Sequence, residues 1–322
     1  IDGMGTNLLA REAEQVAGSI MSPTVRGELT SIFPSTTVAA LSSLWTGVSP
    51  IQHGLVGLNL LLPDQATMMF VLTFSPRSGG TAEDLALRGI DPESFLQSPG
   101  VGQQLTAQGV HVHSFNASEL LDTPLSKMFS RGVSAQTGSE SLSQMMGQIQ
   151  NRLERSRGGK SLMIGYWPLV DTQSHYYGWD SAEAAFELGH VLTTVQDELF
   201  DRLSPAAREG TVVIMLADHG QTLIPRSGHI YLEDLPELRR LLLLHPAGEF
   251  RVPYLYARQG AKQDVLDYFR EHLSDKFVAL DSQEALAAGL FGPPPHSDVS
   301  ALRLGDVTVI SRDGFILATE AE

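Results

Sequence analysis

Thr211-Val212-Val213-Ile214-Met215-Leu216-Ala217-Asp218-His219-Gly220 is the stretch on which the fold turns. Its β-branched and aliphatic run has no polar break, which suits a strand covered on both faces, as in a parallel sheet. Asp218 and His219 fall where that strand would end, and Gly220 permits a sharp turn. Open α/β sheets hold ligands beyond the carboxyl ends of their strands. The pair therefore stands where chemistry is expected, and both side chains are competent metal ligands. A helix cap or a turn would use the same two residues.

The same apolar signature recurs at 68–74, 109–115, 160–166, 253–257 and 306–310. Between these runs, apolar residues at three- and four-residue spacing predict helices at 38–45, 139–155, 182–203, 262–273 and 283–288. Alternating strands and helices predict an α/β fold with a mostly parallel central sheet and helices on both faces. Residues 1–322 are expected to form a single catalytic domain, apparently trimmed at both ends, since Ile1-Asp2-Gly3 opens where a strand would be finishing. Residues 63–99, rich in Pro, Gly, Ser and Asp, are expected to form an irregular surface excursion.

The composition excludes several function classes. The 22 Lys+Arg against 37 Asp+Glu leave a net charge of -15, which opposes a broad nucleic-acid or anionic-membrane surface. With no cysteine, disulfides, thiolate metal sites and a cysteine nucleophile are excluded. There is no run of about 18 apolar residues and no targeting segment, so a soluble chain is expected, with the cytoplasm favoured. The oligomeric state is not legible.

Three further segments carry chemistry-competent side chains. Asp2 sits between an apolar residue and Gly3, as a strand end or a turn cap. Phe33-Pro34-Ser35-Thr36-Thr37 leads into a helical segment, where a threonine serves as an N-cap or as a hydroxyl facing a bound phosphate. Asp171 and His175 stand four apart, on one face of any helix formed there. Tyr176, Tyr177 and Trp179 follow, suited to stacking on a leaving group or to packing the next helix.

Taken together and in this order, these elements resemble the alkaline phosphatase superfamily, most closely its type I phosphodiesterase/nucleotide pyrophosphatase branch. The matching pieces are Ile1-Asp2-Gly3, Phe33 to Thr37 running on through Thr46-Gly47-Val48-Ser49-Pro50-Ile51-Gln52-His53-Gly54, Asp171 to His175, and Asp218-His219-Gly220. The resemblance implies an alkaline-phosphatase-like three-layer sandwich and two divalent metal ions, most readily Zn²⁺. It implies that Asp2, Thr37, Asp218 and His219 hold one ion, and that Asp171 and His175 begin the shell of the other. Thr37 would be the nucleophile, its spacing to Thr46-Gly47 and His53-Gly54 matching the family. Two cations about 4 Å apart suit an in-line displacement at phosphorus.

The sequence departs from the family twice. The second metal's third ligand is a histidine followed by glycine near the family's C-terminus, whereas here His-Gly occurs only at His53 and His219. His229 and His296 are later alternatives, and a ligand beyond Glu322 is the expectation. The family's phosphate-binding asparagine falls on Leu58, with Asn59 one residue later as the candidate substrate contact.

The function implied is a metal-dependent phosphodiesterase or nucleotide pyrophosphatase working through a phospho-threonine intermediate on a small phosphodiester or nucleotide. No Arg or Lys lies in the four motifs to clamp the extra charge of a monoester, which favours diesters. The competing expectation is a non-catalytic member of the same fold that binds a ligand or partner with an incomplete metal site.

Overall fold

The computed structural model describes residues 1–13, 27–156 and 159–319. The chain forms two compact units, one from residues 1–31 and 99–221, the other from 32–98 and 222–322.

The first unit is built on a parallel three-stranded sheet. Its strands, numbered along the whole chain, are β4 (His111–Ala117), β5 (Ala135–Ser139) and β6 (Ser161–Gly165), with β4 in the centre. The Leu142–Arg155 helix packs on β4 and β5. Ser141 caps it by accepting from Gln144 N–H, and Leu142, Met145, Met146 and Ile149 form its buried stripe. Full burial of each such side chain contributes about 1.5–3 kcal/mol. These residues share a core with Phe115, Trp167, Leu188 and Val191, the last two from the Ala182–Thr194 helix.

The second unit carries a seven-stranded antiparallel sheet. Its strands are β1 (Asn59–Leu62), β2 (Thr67–Phe70), β3 (Ser75–Pro76), β8 (Ala247–Gly248), β9 (Pro253–Leu255), β10 (Phe277–Asp281) and β11 (Val307–Ser311), in the order β10-β11-β9-β8-β1-β2-β3. A short parallel pair, β7 (His229–Tyr231) and β12 (Ile316–Ala318), completes the strands. The Lys262–His272 helix buries Val265 and Phe269 against Phe277, Val307 and Val309. Residues 63–99 supply β2 and β3 to this sheet, with two short helices, Ala82–Leu87 and Pro92–Phe95.

Most of the expected elements form near their expected bounds, and parallel pairing occurs where the 109–115 and 160–166 runs are adjacent. The deciding run itself behaves otherwise. Residues 211–217 form no strand ladder, and Val212 and Ile214 are 82% and 76% exposed. Among the described residues, the main-chain link to this run from the sheet side is the Ile1 ammonium donating to Leu216 O at 2.9 Å. An apolar run is buried only where neighbouring strands cover it, and here only Met215 and Ala217 pack against the unit's core.

Candidate metal centre

The candidate centre lies in the first unit, where three chain segments converge. The first is the N-terminal turn. Asp2 N–H donates to Trp167 O at 3.0 Å, which fixes Asp2 beside the end of β6. Gly3 follows at φ +68°, a conformation that strains any L-residue with a Cβ. Its missing side chain also makes room: a Cβ there would lie 2.9 Å from Cα and Cβ of Asp171. Gly5 approaches Gly220 as closely, its Cβ position being 2.9 Å from Gly220 Cα. The second segment is the Leu169–Tyr177 helix, which carries Asp171 in its first turn and His175 in its last. The third is Asp218 to Gln221, after the exposed run.

Asp2, Asp171 and His219 each point a ligand atom at one place, with those atoms within 4.8 Å of one another. His219 Nε2 lies 3.5 Å from Asp2 Oδ1 and 3.6 Å from Asp218 Oδ2. Asp218 Oδ1 accepts from Gly3 N–H at 3.1 Å and from His219 N–H at 2.9 Å. Its other oxygen, Oδ2, is buried with no hydrogen-bond partner. His219 Nδ1 stands 2.9 Å from Gly220 O, which can only accept, so Nδ1 donates there and Nε2 faces the carboxylates. Tyr166, at the end of β6, donates its hydroxyl to Asp2 Oδ2, and Gln221 donates to Asp171 Oδ1.

The electrostatics follow from this crowding. Burial first, then the charges of Asp218 and Asp171, push the Asp2 carboxyl up to about 9. Tyr166 is held far above the usual phenol range, by burial and then by Asp2. Carboxyl groups crowded around one imidazole nitrogen repel one another when ionised, and a cation among them would relieve that repulsion. The donor set is oxygen and imidazole nitrogen, which suits Zn²⁺ or Mn²⁺. The Nδ1–H to Gly220 and the Gln221 amide to Asp171 are the kind of outer hydrogen bonds that hold ligands in place. The residues present therefore fit a divalent ion.

His175 Nε2 lies 3.4 Å from Asp171 Oδ2, with its side chain 72% exposed. A small cavity opens beside the cluster, lined in part by Gly3, Thr6, Asn7, Trp179 and Gln221. Trp179 thus faces the cavity, while Tyr176 and Tyr177 point to solvent.

The other two residues singled out in the sequence lie in the second unit. Thr37 is the first residue of α2 (Thr37–Thr46) and Asn59 the first of β1. Thr36 precedes α2 but does not cap it, because its hydroxyl donates to Glu249. Glu249 also accepts from Leu58 N–H, and burial pushes its carboxyl up to about 7. Its Oε1 and Asn59 Oδ1 are both buried without a hydrogen-bond partner. His53 is buried and kept neutral, with Nδ1 accepting from Leu55 N–H at 3.1 Å, which is a structural role.

Tyr166 and Gln221 as partners of the acidic cluster, and Glu249 as a partner of Thr36 in the second unit, are not named by the sequence analysis. Tyr166 closes the 160–166 run and Gln221 follows Asp218-His219-Gly220, so position after a strand was a usable signal for both. Glu249 carries none, being brought to Thr36 by the pairing of Gly248 with Asn59 across β8 and β1.

The family profile described as type I phosphodiesterase / nucleotide pyrophosphatase matches residues 1–322. Among solved structures, the chain is similar to murine ectonucleotide pyrophosphatase/phosphodiesterase 5 in an inactive variant bound to AMP. Identity is 15%, coverage 99% of this chain and 79% of that one, and TM-score 0.66. Phosphonoacetate hydrolase from Sinorhizobium meliloti 1021, in complex with phosphonoformate, is similar at 16% identity, 99% and 81% coverage and TM-score 0.66. The human ectonucleotide pyrophosphatase/phosphodiesterase 5 gives 16%, 90% and 71%, and 0.64. These likenesses establish a shared alkaline-phosphatase-like α/β fold. No curated sequence matches.

Proposed function

Because the chain belongs to the type I phosphodiesterase/nucleotide pyrophosphatase family, we propose that it is a metal-dependent phosphodiesterase or nucleotide pyrophosphatase with a threonine nucleophile. Residues 1–322 act as one catalytic domain in this reading. Asp2, Asp171, His175, Asp218 and His219 hold divalent ions, most readily two Zn²⁺, with Thr37 as a further ligand. Bound ions would supply charge neutralisation at phosphorus and a lowered hydroxyl pKa. Thr37 Oγ1 attacks phosphorus in line, the P–O bond to the leaving alcohol or phosphate breaks, and a phospho-threonine forms. Water then attacks phosphorus, the bond to Thr37 breaks and the hydroxyl is restored. Asn59 is the candidate contact for a phosphoryl oxygen, and Trp179 for an aromatic leaving group.

One observation carries the reading. Asp2, Asp171 and the Asp218-His219 pair are far apart along the sequence, and the fold brings ligand atoms of Asp2, Asp171 and His219 within 4.8 Å of one another, with the buried Asp218 Oδ2 3.6 Å from His219 Nε2. The murine relative binds AMP and the bacterial one phosphonoformate, which supports a small phosphorus-containing substrate. The test is elemental analysis of the purified chain, run beside hydrolysis of bis-p-nitrophenyl phosphate with and without Thr37→Ala. About two metals per chain, with turnover lost in the variant, is the expected result. Bound metal without turnover in the native chain would favour a ligand-binding role instead.

A further inference from the structure

At the opposite end of β6 from Tyr166, the first unit has a second, open pocket of about 610 Å³. Its lining includes His111, Arg152, Arg155, Lys160 and the seryl residues Ser156 and Ser161, and among the described residues no carboxylate. Three elements bring these together. His111 opens β4, where it pairs with Ser161 of β6, and its N–H donates to Lys160 O at 3.1 Å. Arg152 and Arg155 come from the last turn of the Leu142–Arg155 helix. At about 3.3 Å per strand residue, the pocket is on the order of 20 Å from the acidic cluster.

The last turn of a helix favours cations, which accounts for two arginines there. It does not account for Lys160 and His111, which reach the same pocket from other elements. Nor does it account for how Arg152 is held. Its Nη2 donates to His113 Nε2 at 2.6 Å, and Nε is buried with no hydrogen-bond partner. His113 is 5% exposed and kept below the usual imidazole range by burial and then by the Arg152 charge, so it is a neutral acceptor. Among the described residues no ion pair engages Arg152, Arg155 or Lys160. A partly buried guanidinium with no counter-charge, beside two further cations in a chain of net charge -15, is an incomplete arrangement.

We infer that this pocket is an oxyanion-binding site, separate from the acidic cluster, for the phosphate group of a small molecule. Two guanidinium forks and an ammonium match the charge and donor geometry of a multiply charged phosphate, with Ser156 and Ser161 as neutral donors. The inference does not depend on catalysis at the acidic cluster.

The test is equilibrium dialysis of the full chain with inorganic phosphate, and separately with AMP, at low ionic strength with EDTA present to keep metals out. Saturable one-site binding is expected. It should weaken about tenfold or more in Arg155→Gln/Lys160→Gln, two exposed positions whose loss spares the core. Arg239→Gln/Arg240→Gln, in the second unit, should change affinity less than about twofold. Displacement of phosphate by AMP would identify a nucleotide as the source of the phosphate group, and its absence the free anion. No saturable binding by the native chain, or unchanged binding in Arg155→Gln/Lys160→Gln with native circular dichroism, would overturn the inference.

Discussion

The substitution Glu249→Gln tests how the second unit is held together around Thr36. Glu249 is half-buried with its Oε1 sealed from solvent, accepts from Thr36 and Leu58, and has its carboxyl raised from 4.5 to about 7. A raised acid binds its proton more tightly in the folded state, so its contribution to stability falls as pH rises from 4.5 to about 7 and is level above that. The full loss is about 3 kcal/mol, on the order of 1.4 kcal/mol for each pH unit between the two values. Aggregation near the isoelectric point of 5.0 restricts the useful range to above about pH 6. Between about pH 6 and 8.5 the two-pKa expression leaves about 1 kcal/mol of the loss to be seen. The amide introduced by Glu249→Gln keeps an oxygen acceptor for Thr36 and Leu58 and cannot ionise. The assay is urea unfolding of both proteins across that range, with EDTA present. Native protein should lose about 1 kcal/mol relative to the variant as pH rises. A stability difference that stays constant across the range would show that Glu249 is already ionised in the folded state, and the account of its burial would fail.

Further outcomes follow from the same contacts. Gly3→Ala places a Cβ 2.9 Å from Asp171 in a left-handed conformation, and should cost about 1–3 kcal/mol in unfolding experiments while lowering metal uptake. Asp218→Asn removes the charge of a buried carboxylate beside His219, and should weaken zinc retention about tenfold or more in a competition with chelator. If a divalent ion binds the native fold, saturation at 100 times its Kd should raise stability by about 2.7 kcal/mol over the EDTA-treated chain, and an unchanged unfolding midpoint would count against the centre. Arg303 is buried, donates to Gly54 O and lies 4.9 Å from the Phe95 ring centroid. Arg303→Met should destabilise by about 1–3 kcal/mol through the orphaned carbonyl, read as a lower urea midpoint.

The sequence determined the local grammar of this protein. The 109–115 and 160–166 runs became β4 and β6, and the helices at 38–45, 139–155 and 262–273 formed near their expected bounds, because periodicity and caps act within a few residues. Order along the chain was enough to mark Asp218 and His219 after an apolar run, Asp2 between an apolar residue and a glycine, and Asp171 on one helix face with His175. What the sequence could not decide was which apolar run would find neighbours. The 211–217 run has a buried strand's composition and stays largely exposed, while Phe277–Asp281, not singled out, became a strand of the larger sheet. Burial and pairing belong to the partners a segment meets, not to the segment. For the same reason only the tertiary structure could turn His219 Nε2 toward Asp2, carry Glu249 to Thr36, and leave Arg152 against a neutral histidine. Each depends on residues far apart in the chain, whose distances no local pattern encodes.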